Sequence, residues 1–412
     1  MTAIRSDALV RKKSMLDTRI DGFYLVFALF VVSQYVTFVN YTEAFSSAVD
    51  SAMDILRALV LIALIGMIFF RHSKNFDLLV RNGALLAVSG LTWIVGGSSY
   101  LFWIIAFTLA AKKNSISKVA KLVFVATLAI AIFTIVLWQL GVVEESTLGN
   151  TESRMRSTFG FRHPNTLGLV VFLMAFSYSV MHFGRLPLAE SFLCLVSFFI
   201  SAYFADSRTY ALITMTWLVV LWIRHVFGSN KRVSQSLPLV LLIAFIGLFA
   251  ISMFLMANYN PDNSLQSLLD RMLSGRLWFM HSYYLDSPLS LLGYSYEGAV
   301  PRYSRGIPYF FLVDNAYSYI YLRCGLVGTL IVLVGVFRLV GRCRKERYNG
   351  VLLYGLIFFT LVAFVELSAC QIACDFFLLA FSALSTGQPL AEIDDVSDQA
   401  WQKGIARVTD GE

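Results

Sequence analysis

Long runs of apolar residues, separated by short polar segments, recur along the chain as far as about residue 386. Because a helix rises about 1.5 Å per residue, roughly 20 apolar residues cross the hydrocarbon core of a bilayer. The runs that approach this length predict transmembrane helices at residues 22–41, 53–70, 77–94, 97–111, 119–141, 165–183, 188–206, 209–227, 237–257, 314–337, 351–367 and 368–386. The pattern predicts an all-α polytopic membrane protein with about 12 transmembrane helices.

The third and fourth runs are the weakest. The stretch Trp93–Tyr100 (WIVGGSSY) places two glycines and two serines between them, and the fourth run is short. A re-entrant pair of helices is therefore an alternative to two full spans. The last two runs are also short, with a predicted tight turn near Glu366–Ser368.

Composition agrees with the apolar pattern. Hydrophobic residues make up 58% of the 412 residues and charged residues only 14%, with a mean hydropathy of +0.69. Soluble globular proteins are about 45–50% apolar and about 25% charged. These values exclude a soluble protein, and we expect a membrane-lipid environment and no nucleic-acid partner.

The distribution of lysine predicts the orientation of the helices. Cytoplasmic loops carry an excess of Lys and Arg. With the N-terminus in the cytoplasm, every lysine falls on the cytoplasmic side, at positions 12, 13, 74, 112, 113, 118, 121, 231, 345 and 403. Both termini are then cytoplasmic. The first run lacks a small-residue cleavage site, so we expect an uncleaved first helix rather than a signal peptide.

This orientation gives one transmembrane domain, residues 1–386, and a polar tail, residues 387–412, which we expect to be cytoplasmic and disordered. Two long external loops result, at residues 142–164 and 258–313, and the second lies before the tenth helix. Within it, residues 264–285 carry apolar residues at helical spacing with charged residues between them. We predict one amphipathic helix there, lying at the membrane surface above a cavity between the spans.

Basic residues on the predicted external side are all arginines: Arg154, Arg156, Arg162, Arg208, Arg271, Arg276, Arg302 and Arg305. A guanidinium group is always charged and binds phosphate through two parallel hydrogen bonds. We therefore predict a shared anionic ligand on this side. The alternative is that arginine tolerates a membrane interface better than lysine does.

Charged residues also flank and enter the tenth span. Asp314 precedes the helix and is a suitable cap, and Arg323 follows nine residues later, about 13 Å along the helix. A buried arginine should find a partner inside the bundle. We expect a structural ion pair with Glu366 or Asp375, the alternative being direct contact with a ligand.

Four stretches of the sequence resemble motifs of the O-antigen ligase/polymerase superfamily, and they occur in the same order along the chain. RMRSTFGFRHPNTLG (154–168) is similar to its first signature, which Arg156, Gly160, Pro164 and Asn165 fill. The turn around Arg208 resembles a Ser-Arg turn, and the stretch that begins SGRLWFMHS at residue 274 resembles a Gly-Arg region that contains Arg276. DNAYSYIYLRCGLVG resembles a His/Asp-Asn-x-Tyr motif that leads into a Gly-x-x-Gly helix; its residues are Asp314, Asn315, Tyr317 and Arg323. The resemblance covers roughly residues 120–337.

The resemblance implies a glycosyltransferase in the plasma (inner) membrane of a bacterium, with its active site on the external, periplasmic side. Members use oligosaccharides linked to undecaprenyl pyrophosphate and need no metal, nucleotide sugar or other cofactor. A polymerase moves the growing O-antigen, capsule or exopolysaccharide chain onto the next lipid-linked repeat unit. A ligase moves the finished chain onto lipid A core or another acceptor. A chain-length regulator protein is a further expected partner.

The residues suit this chemistry independently. The leaving pyrophosphate gains negative charge as its bond to the sugar breaks, and fixed arginines stabilise such charge. We expect Arg208 and Arg276 to hold the pyrophosphate, with Arg156 and Arg162 nearby. The candidates for the general base that deprotonates the acceptor are, in order, His163, Asp314, His281 and Glu297.

Several of these residues could have a structural role instead of a role in catalysis or binding. His163 is equally suited to a hydrogen bond with the loop backbone. Pro164 and Asn165 suit the start of the sixth span, and Gly160 suits a tight turn. The ligase pattern has histidine where this chain has Asp314, which favours a polymerase over a ligase. A transporter is the alternative of another class, but the sequence shows no repeat of the 154–168 pattern, as transporters with repeated halves would.

Overall fold

The computed structural model describes residues 21–73, 75–111, 114–146, 156–228, 230–296, 302–304, 307–309 and 313–394. Residues 1–20 and three of the residues singled out above, Arg154, Glu297 and Arg305, lie outside these ranges. The helices, in chain order, are α1 (Gly22–Val36), α2 (Glu43–His72), α3 (Phe76–Gly96), α4 (Tyr100–Ala110), α5 (Ile116–Gln139), α6 (Pro164–Met181), α7 (Leu188–Phe199), α8 (Arg208–Phe227), α9 (Lys231–Asn258), α10 (Ser264–Met272), α11 (Arg276–Asp286), α12 (Ala316–Glu346), α13 (Val351–Val362), α14 (Ser382–Thr386) and α15 (Leu390–Asp394).

The protein is an all-α polytopic membrane protein, as the apolar pattern predicts. Within the described ranges, seven helices are long and apolar enough to cross a membrane: α2, α3, α5, α6, α8, α9 and α12. The other five predicted spans correspond to shorter apolar helical segments of 10–17 residues. At about 1.5 Å per residue these segments are shorter than the hydrocarbon core, so length alone does not make them full spans.

Polar residues at the predicted turns start several helices. The side chains of Asp21, Ser115, Asn230 and Asn263 each accept a hydrogen bond from a backbone N–H in the first turn of α1, α5, α9 and α10. Such caps satisfy donors that have no partner within the helix. The side chain of Asn263 thus starts the predicted external helix.

The turn between α3 and α4 lies beside α12 rather than at its end. Arg323 donates from Nη1 to the carbonyl oxygen of Gly96 at 2.8 Å, and the ring of Tyr100 stacks on that of Tyr319 at 5.5 Å. Arg323 lies about 12 Å along α12 from Asn315, the cap of that helix. The turn therefore lies about 12 Å from the start of α12, measured along that helix.

The last predicted span is not a continuous helix. Residues Leu367–Cys370 and Phe376–Phe381 form two short 3-10 helices, followed by α14. Asp375 ends the intervening turn, and its side chain accepts from the N–H of Phe377 at 3.1 Å. Phe376 and Phe377 are fully buried among the other helices. Non-helical backbone is tolerated at membrane depth where protein surrounds it, so an apolar run here did not mean a helix.

The predicted external helix at 264–285 is two helices. Ser274 and Gly275 have φ of 59° and 85°, and this left-handed pair ends α10 and begins α11. The residues of α10 are not buried, whereas α11 buries Phe279 and Tyr283 against its neighbours. Further along the loop, Arg302–Ser304 (β1) pairs antiparallel with Ile307–Tyr309 (β2).

A segment that we call the strap, residues 288–294, crosses α12 where that helix is broken. Gly325 has φ 65° and ψ −165°, and the N–H groups of the next two residues donate to strap carbonyls at 2.9 and 3.0 Å. A Cβ atom on Gly293 would lie 2.0 Å from the carbonyl oxygen of Arg323, so only glycine fits. The strap thus supplies partners for the backbone groups that the break exposes.

The beginning of the tail is ordered, which corrects the predicted disorder from residue 387. In α15, Leu390 and Ile393 are buried, and Asp394 accepts hydrogen bonds from the N–H of Val351 at 2.9 Å and from the hydroxyl of Tyr348. These contacts fix α15 to the start of α13. The prediction for residues 395–412 lies outside the described residues.

Candidate functional site

The N-termini of α6, α8, α11 and α12 meet at the predicted external end of the bundle. Ser207, the residue before α8, donates from Oγ to Oδ1 of Asn165 in the first turn of α6 at 2.9 Å. A Cβ atom on Gly168 would lie 2.9 Å from that of Tyr210, so glycine allows α6 and α8 to approach closely. Helix N-termini carry partial positive charge, and their convergence favours an anionic ligand.

Arg276, the first residue of α11, connects three parts of this end. Its Nε lies 2.8 Å from Oδ2 of Asp314 and its Nη2 lies 3.1 Å from Oε1 of Glu366. Its Nη1 donates to the carbonyl oxygen of Val365. All three nitrogens of the guanidinium are thus engaged, and the side chain is 17% exposed. The predicted role of Arg276 as a pyrophosphate clamp does not fit this arrangement, because its fork already holds two carboxylates.

Asp314 and Glu366 form a carboxylate pair around Arg276. Their side chains are 23% and 10% exposed, so Asp314 is the more accessible of the two. Burial raises the pKa of Asp314, and the guanidinium opposes the rise. Burial also raises the pKa of Glu366; Arg276 opposes this rise and Asp314 adds to it. Carboxyl groups with raised pKa values suit general acid–base work near neutral pH.

Tyr210 supports the pair from α8. Its buried hydroxyl lies 3.5 Å from Oε2 of Glu366 and 3.3 Å from Oγ of Ser368. Glu366 thus accepts a hydrogen bond from Arg276 on Oε1, and its Oε2 faces the hydroxyl of Tyr210. A carboxylate held in this way keeps a single orientation toward Asp314.

Two of the four predicted phosphate-binding arginines serve the fold. Arg156 donates from Nε and Nη2 to the carbonyl oxygens of Ala205 and Asp206, at 3.2 and 2.8 Å. Arg162 pairs with Asp50 of α2 at 3.2 Å. These contacts connect the loop before α6 to its neighbours. Because part of each guanidinium is already hydrogen-bonded within the protein, neither can bind a phosphate through all of its donors.

Arg208 is the predicted arginine that stays available. It is the first residue of α8, its side chain is exposed, and it has no hydrogen bond or ion pair with the part of the chain that the structure describes. A π-helical turn, Ile200–Phe204, and Asp206 with φ 43° precede it. Irregular turns of both kinds are frequent at functional sites because they redirect the chain.

His163 adopts the structural alternative. Its Nδ1 accepts from the N–H of Asn165 at 3.0 Å and so caps α6, with Pro164 as the first helical residue. Burial, with Arg156 and Arg276 nearby, lowers the pKa of His163 to about 4. The imidazole is therefore neutral at neutral pH and is too weak a base to be the first candidate for the general base.

Gly160 also acts on the fold. It has φ 86°, and its carbonyl oxygen accepts from the N–H of Asn40 at 2.8 Å. A Cβ atom at this position would lie 2.8 Å from Cγ2 of Val143. The turn that was predicted here therefore requires glycine, both for its backbone conformation and for space.

The other predicted site residues also make structural contacts. His281 contacts the carbonyl oxygen of Met256 in α9 through Nδ1 at 2.7 Å. Asn315 caps α12 by accepting from the N–H of Ser318 at 2.9 Å, and the hydroxyl of Tyr317 donates to Thr360. These contacts connect α11 and α12 to their neighbours and hold Asp314 and Arg276 in place.

Arg323 has partners other than those predicted. It donates to the carbonyl oxygen of Gly96 and lies 5.5 Å from the centre of the Tyr296 ring. The carboxylates that were expected to pair with it are engaged elsewhere, since Glu366 holds Arg276 and Asp375 caps a 3-10 helix. The backbone carbonyl of Gly96 and the aromatic face of Tyr296 are thus among its partners.

Sequence reasoning missed the roles of Glu366, Tyr210 and Ser207. Glu366 was considered only as a partner of Arg323, although a lone carboxylate between two apolar runs was a signal in its own right. Within the described residues, no three His, Cys, Asp or Glu side chains are grouped closely enough to hold a metal ion.

Comparisons of the whole chain with protein-family models, with curated proteins and with solved structures found no match.

Proposed function

We propose that the protein is a polysaccharide polymerase. It transfers a growing glycan from undecaprenyl pyrophosphate to the next lipid-linked repeat unit at the external face of the plasma membrane. The observation that carries the proposal is the Asp314–Arg276–Glu366 cluster at the meeting point of four helix N-termini, with the exposed Arg208 at one of them. The motif resemblance supports it, because these residues fall in three of the four motifs or contact them.

The cluster divides the work of a glycosyl transfer. Asp314, the more accessible carboxylate, takes the proton of the acceptor hydroxyl as that oxygen bonds to the sugar C1 atom. The bond between C1 and the pyrophosphate oxygen breaks, and its electron pair stays on the pyrophosphate. Arg208 and the helix N-termini stabilise the charge that develops there. Arg276 and Glu366 hold Asp314 in position and are positioning residues rather than ligands of the phosphate.

A ligase is the closest alternative, because the same cluster can serve transfer to lipid A core or another acceptor. A transporter of polysaccharide or lipid-linked sugar is the alternative of another class. The break in α12 at Gly325 is the observation that favours it, since discontinuous helices line the substrate sites of many transporters. The reaction product distinguishes all three.

The test is a reaction of the purified protein with lipid-linked repeat units in liposomes. A ladder of chain lengths is the result expected of a polymerase. A single transfer to an added second acceptor identifies a ligase. Movement of the lipid-linked sugar across the bilayer with no new glycosidic bond identifies a transporter and rejects the proposal.

Two variants connect the reaction to the cluster. Asp314→Asn should lower the rate by a factor of about 10²–10⁴, the usual contribution of a general base. Arg208→Lys should also reduce polymer formation strongly, because lysine keeps the charge but lacks the planar fork. The matched control is Arg271→Lys, since Arg271 is exposed in α10 and has no ion pair with any described residue. A normal ladder from Arg208→Lys would reject the role of Arg208.

A further inference from the structure

A large apolar cavity lies between α3, α4, α9, α12, α13 and the segment Phe376–Thr386. Its volume is about 690 Å³, within the range of ligand pockets, and aliphatic and aromatic side chains form most of its wall. Along α12 its lining extends from Ala316 to Leu339, a distance of about 34 Å. The cavity thus runs through most of the thickness of a bilayer, from beside Asp314 to the opposite end of the bundle.

The cavity is open sideways toward the bilayer. Leu330 and Val334, one turn apart on α12, line it and are 48% and 49% exposed. Ala84 of α3 also lines it and is exposed. An apolar space with such an opening between two helices admits a hydrocarbon chain from the surrounding lipid, and filling it with water would leave the apolar wall hydrated.

Two arginines line the end of the cavity farthest from Asp314. Arg81 lies five residues into α3, and Arg338 lies eight residues before the end of α12. Both side chains are exposed, and neither forms a hydrogen bond or an ion pair with the residues the structure describes. This is the lysine-rich end of the bundle, which we predict to face the cytoplasm.

A buried amide lies next to these arginines. Asn82 follows Arg81, is 3% exposed and lines the cavity, and its Nδ2 has no hydrogen-bond partner in the described parts of the chain. An unsatisfied buried donor costs about 1–3 kcal/mol. An oxygen-bearing group from the ligand would remove that cost. The site therefore combines an apolar channel, one hydrogen-bond donor and two unpaired guanidinium groups.

We propose that this cavity binds an anionic glycerophospholipid of the cytoplasmic leaflet. Arg81 and Arg338 hold the phosphodiester, Asn82 donates to an ester oxygen, and an acyl chain occupies the apolar channel. Basic pockets between helices on the cytoplasmic side are a recognised setting for anionic headgroups. This lipid is distinct from the glycan donor, whose pyrophosphate belongs at the other end of the bundle, and its binding does not depend on the proposed glycosyl transfer.

The test is native mass spectrometry of the purified full-length protein with added phosphatidylglycerol or phosphatidylcholine. We expect wild type to retain phosphatidylglycerol preferentially. Arg81→Gln and Arg338→Gln should each weaken its apparent affinity about fivefold, and the double variant about 25-fold. Arg232→Gln is the matched control, since Arg232 is exposed at the same predicted side but does not line the cavity.

A second variant tests the channel. Ala84→Trp places a large ring at the lateral opening and should weaken retention of phosphatidylglycerol while leaving the protein monodisperse in size-exclusion chromatography. Equal retention of the two lipids by wild type would overturn the proposal. Unchanged phosphatidylglycerol affinity in the double arginine variant would also overturn it. So would the finding that a polyprenyl lipid co-purifies with the protein and that Ala84→Trp reduces its amount while the arginine variants do not.

Discussion

Removal of the guanidinium of Arg276 should destabilise the protein in a way that depends on pH. In Arg276→Met the apolar stem is kept, but Asp314 and Glu366 lose contacts of 2.8 and 3.1 Å with their shared counter-charge. Removing one partner of a buried ion pair costs about 3–5 kcal/mol. We therefore expect the variant to lose about 4 kcal/mol at pH 7, because two carboxylates are left facing each other with little solvent.

Protonation relieves that cost. Without the guanidinium, the raised pKa values of Asp314 and Glu366 rise further, so the folded variant takes up a proton that the unfolded chain does not. A raised carboxyl pKa in the folded state gives stability that is present at low pH and is lost as pH rises through that pKa. Each pH unit is worth about 1.4 kcal/mol per proton. The deficit should therefore be smaller at pH 5 than at pH 7, by at most about 1.4 kcal/mol per pH unit for a proton that the variant binds and wild type does not.

The measurement is the midpoint of thermal unfolding in detergent, followed by fluorescence-detected size-exclusion chromatography at pH 5, 6 and 7. Small-domain values scaled to a chain of this length predict a fall in Tm of about 4–8 °C at pH 7. Arg271→Met, on the exposed side of α10, is the control and should change Tm by no more than about 1 °C. An Arg276→Met protein that is as stable as wild type at pH 7, or equally destabilised at all three values, would refute the reasoning.

Three further variants test other contacts. Gly160→Ala should destabilise the fold by about 1–3 kcal/mol, because φ is 86° and the new Cβ would meet Val143; an unchanged Tm would contradict this. Asp394→Ala should cost about 1–3 kcal/mol by leaving buried donors of Tyr348 and the α13 N-terminus unsatisfied, and limited proteolysis should then cleave near α15 sooner than in wild type. The pKa of His163 is lowered to about 4 in the folded protein, so the unfolded chain binds more protons between about pH 4 and 6.5 and stability rises with pH across that range. His163→Gln should flatten that part of the Tm profile, and a profile that keeps the wild-type slope would show that His163 is not responsible.

The transmembrane class could be predicted from the sequence because lipid requires long apolar runs that satisfy their own backbone groups. The same runs did not specify their internal conformation. The segment from Leu367 to Phe381 is as apolar as a transmembrane helix, yet it forms two short 3-10 helices. This backbone is tolerated because neighbouring helices enclose it. The left-handed backbone at Ser274–Gly275 divides a continuous helical pattern into two helices. Apolar periodicity reports burial and does not resolve such breaks.

The candidate site was predicted in part. The sequence drew attention to Asp314 and Arg208, which carry the proposed chemistry, and to Arg276, which positions Asp314. It could not show that Arg276 faces two carboxylates rather than a phosphate, because Glu366 reaches it only once α12 and α13 have both packed against α9. Arginines on one side of a membrane therefore indicate a polar region, and tertiary contacts decide which of them remain available to a ligand.

The strap across α12 has a consequence for how the chain is assembled. Residues 288–294 leave the ribosome before α12, but the N–H groups that they accept from follow Gly325. In lipid, each unsatisfied backbone group costs several kcal/mol. Neither the strap nor the broken turn of α12 can therefore rest alone at its final depth. The two segments therefore reach their final depth only in contact with each other, so this part of α12 cannot be completed before residues 288–294 are in place.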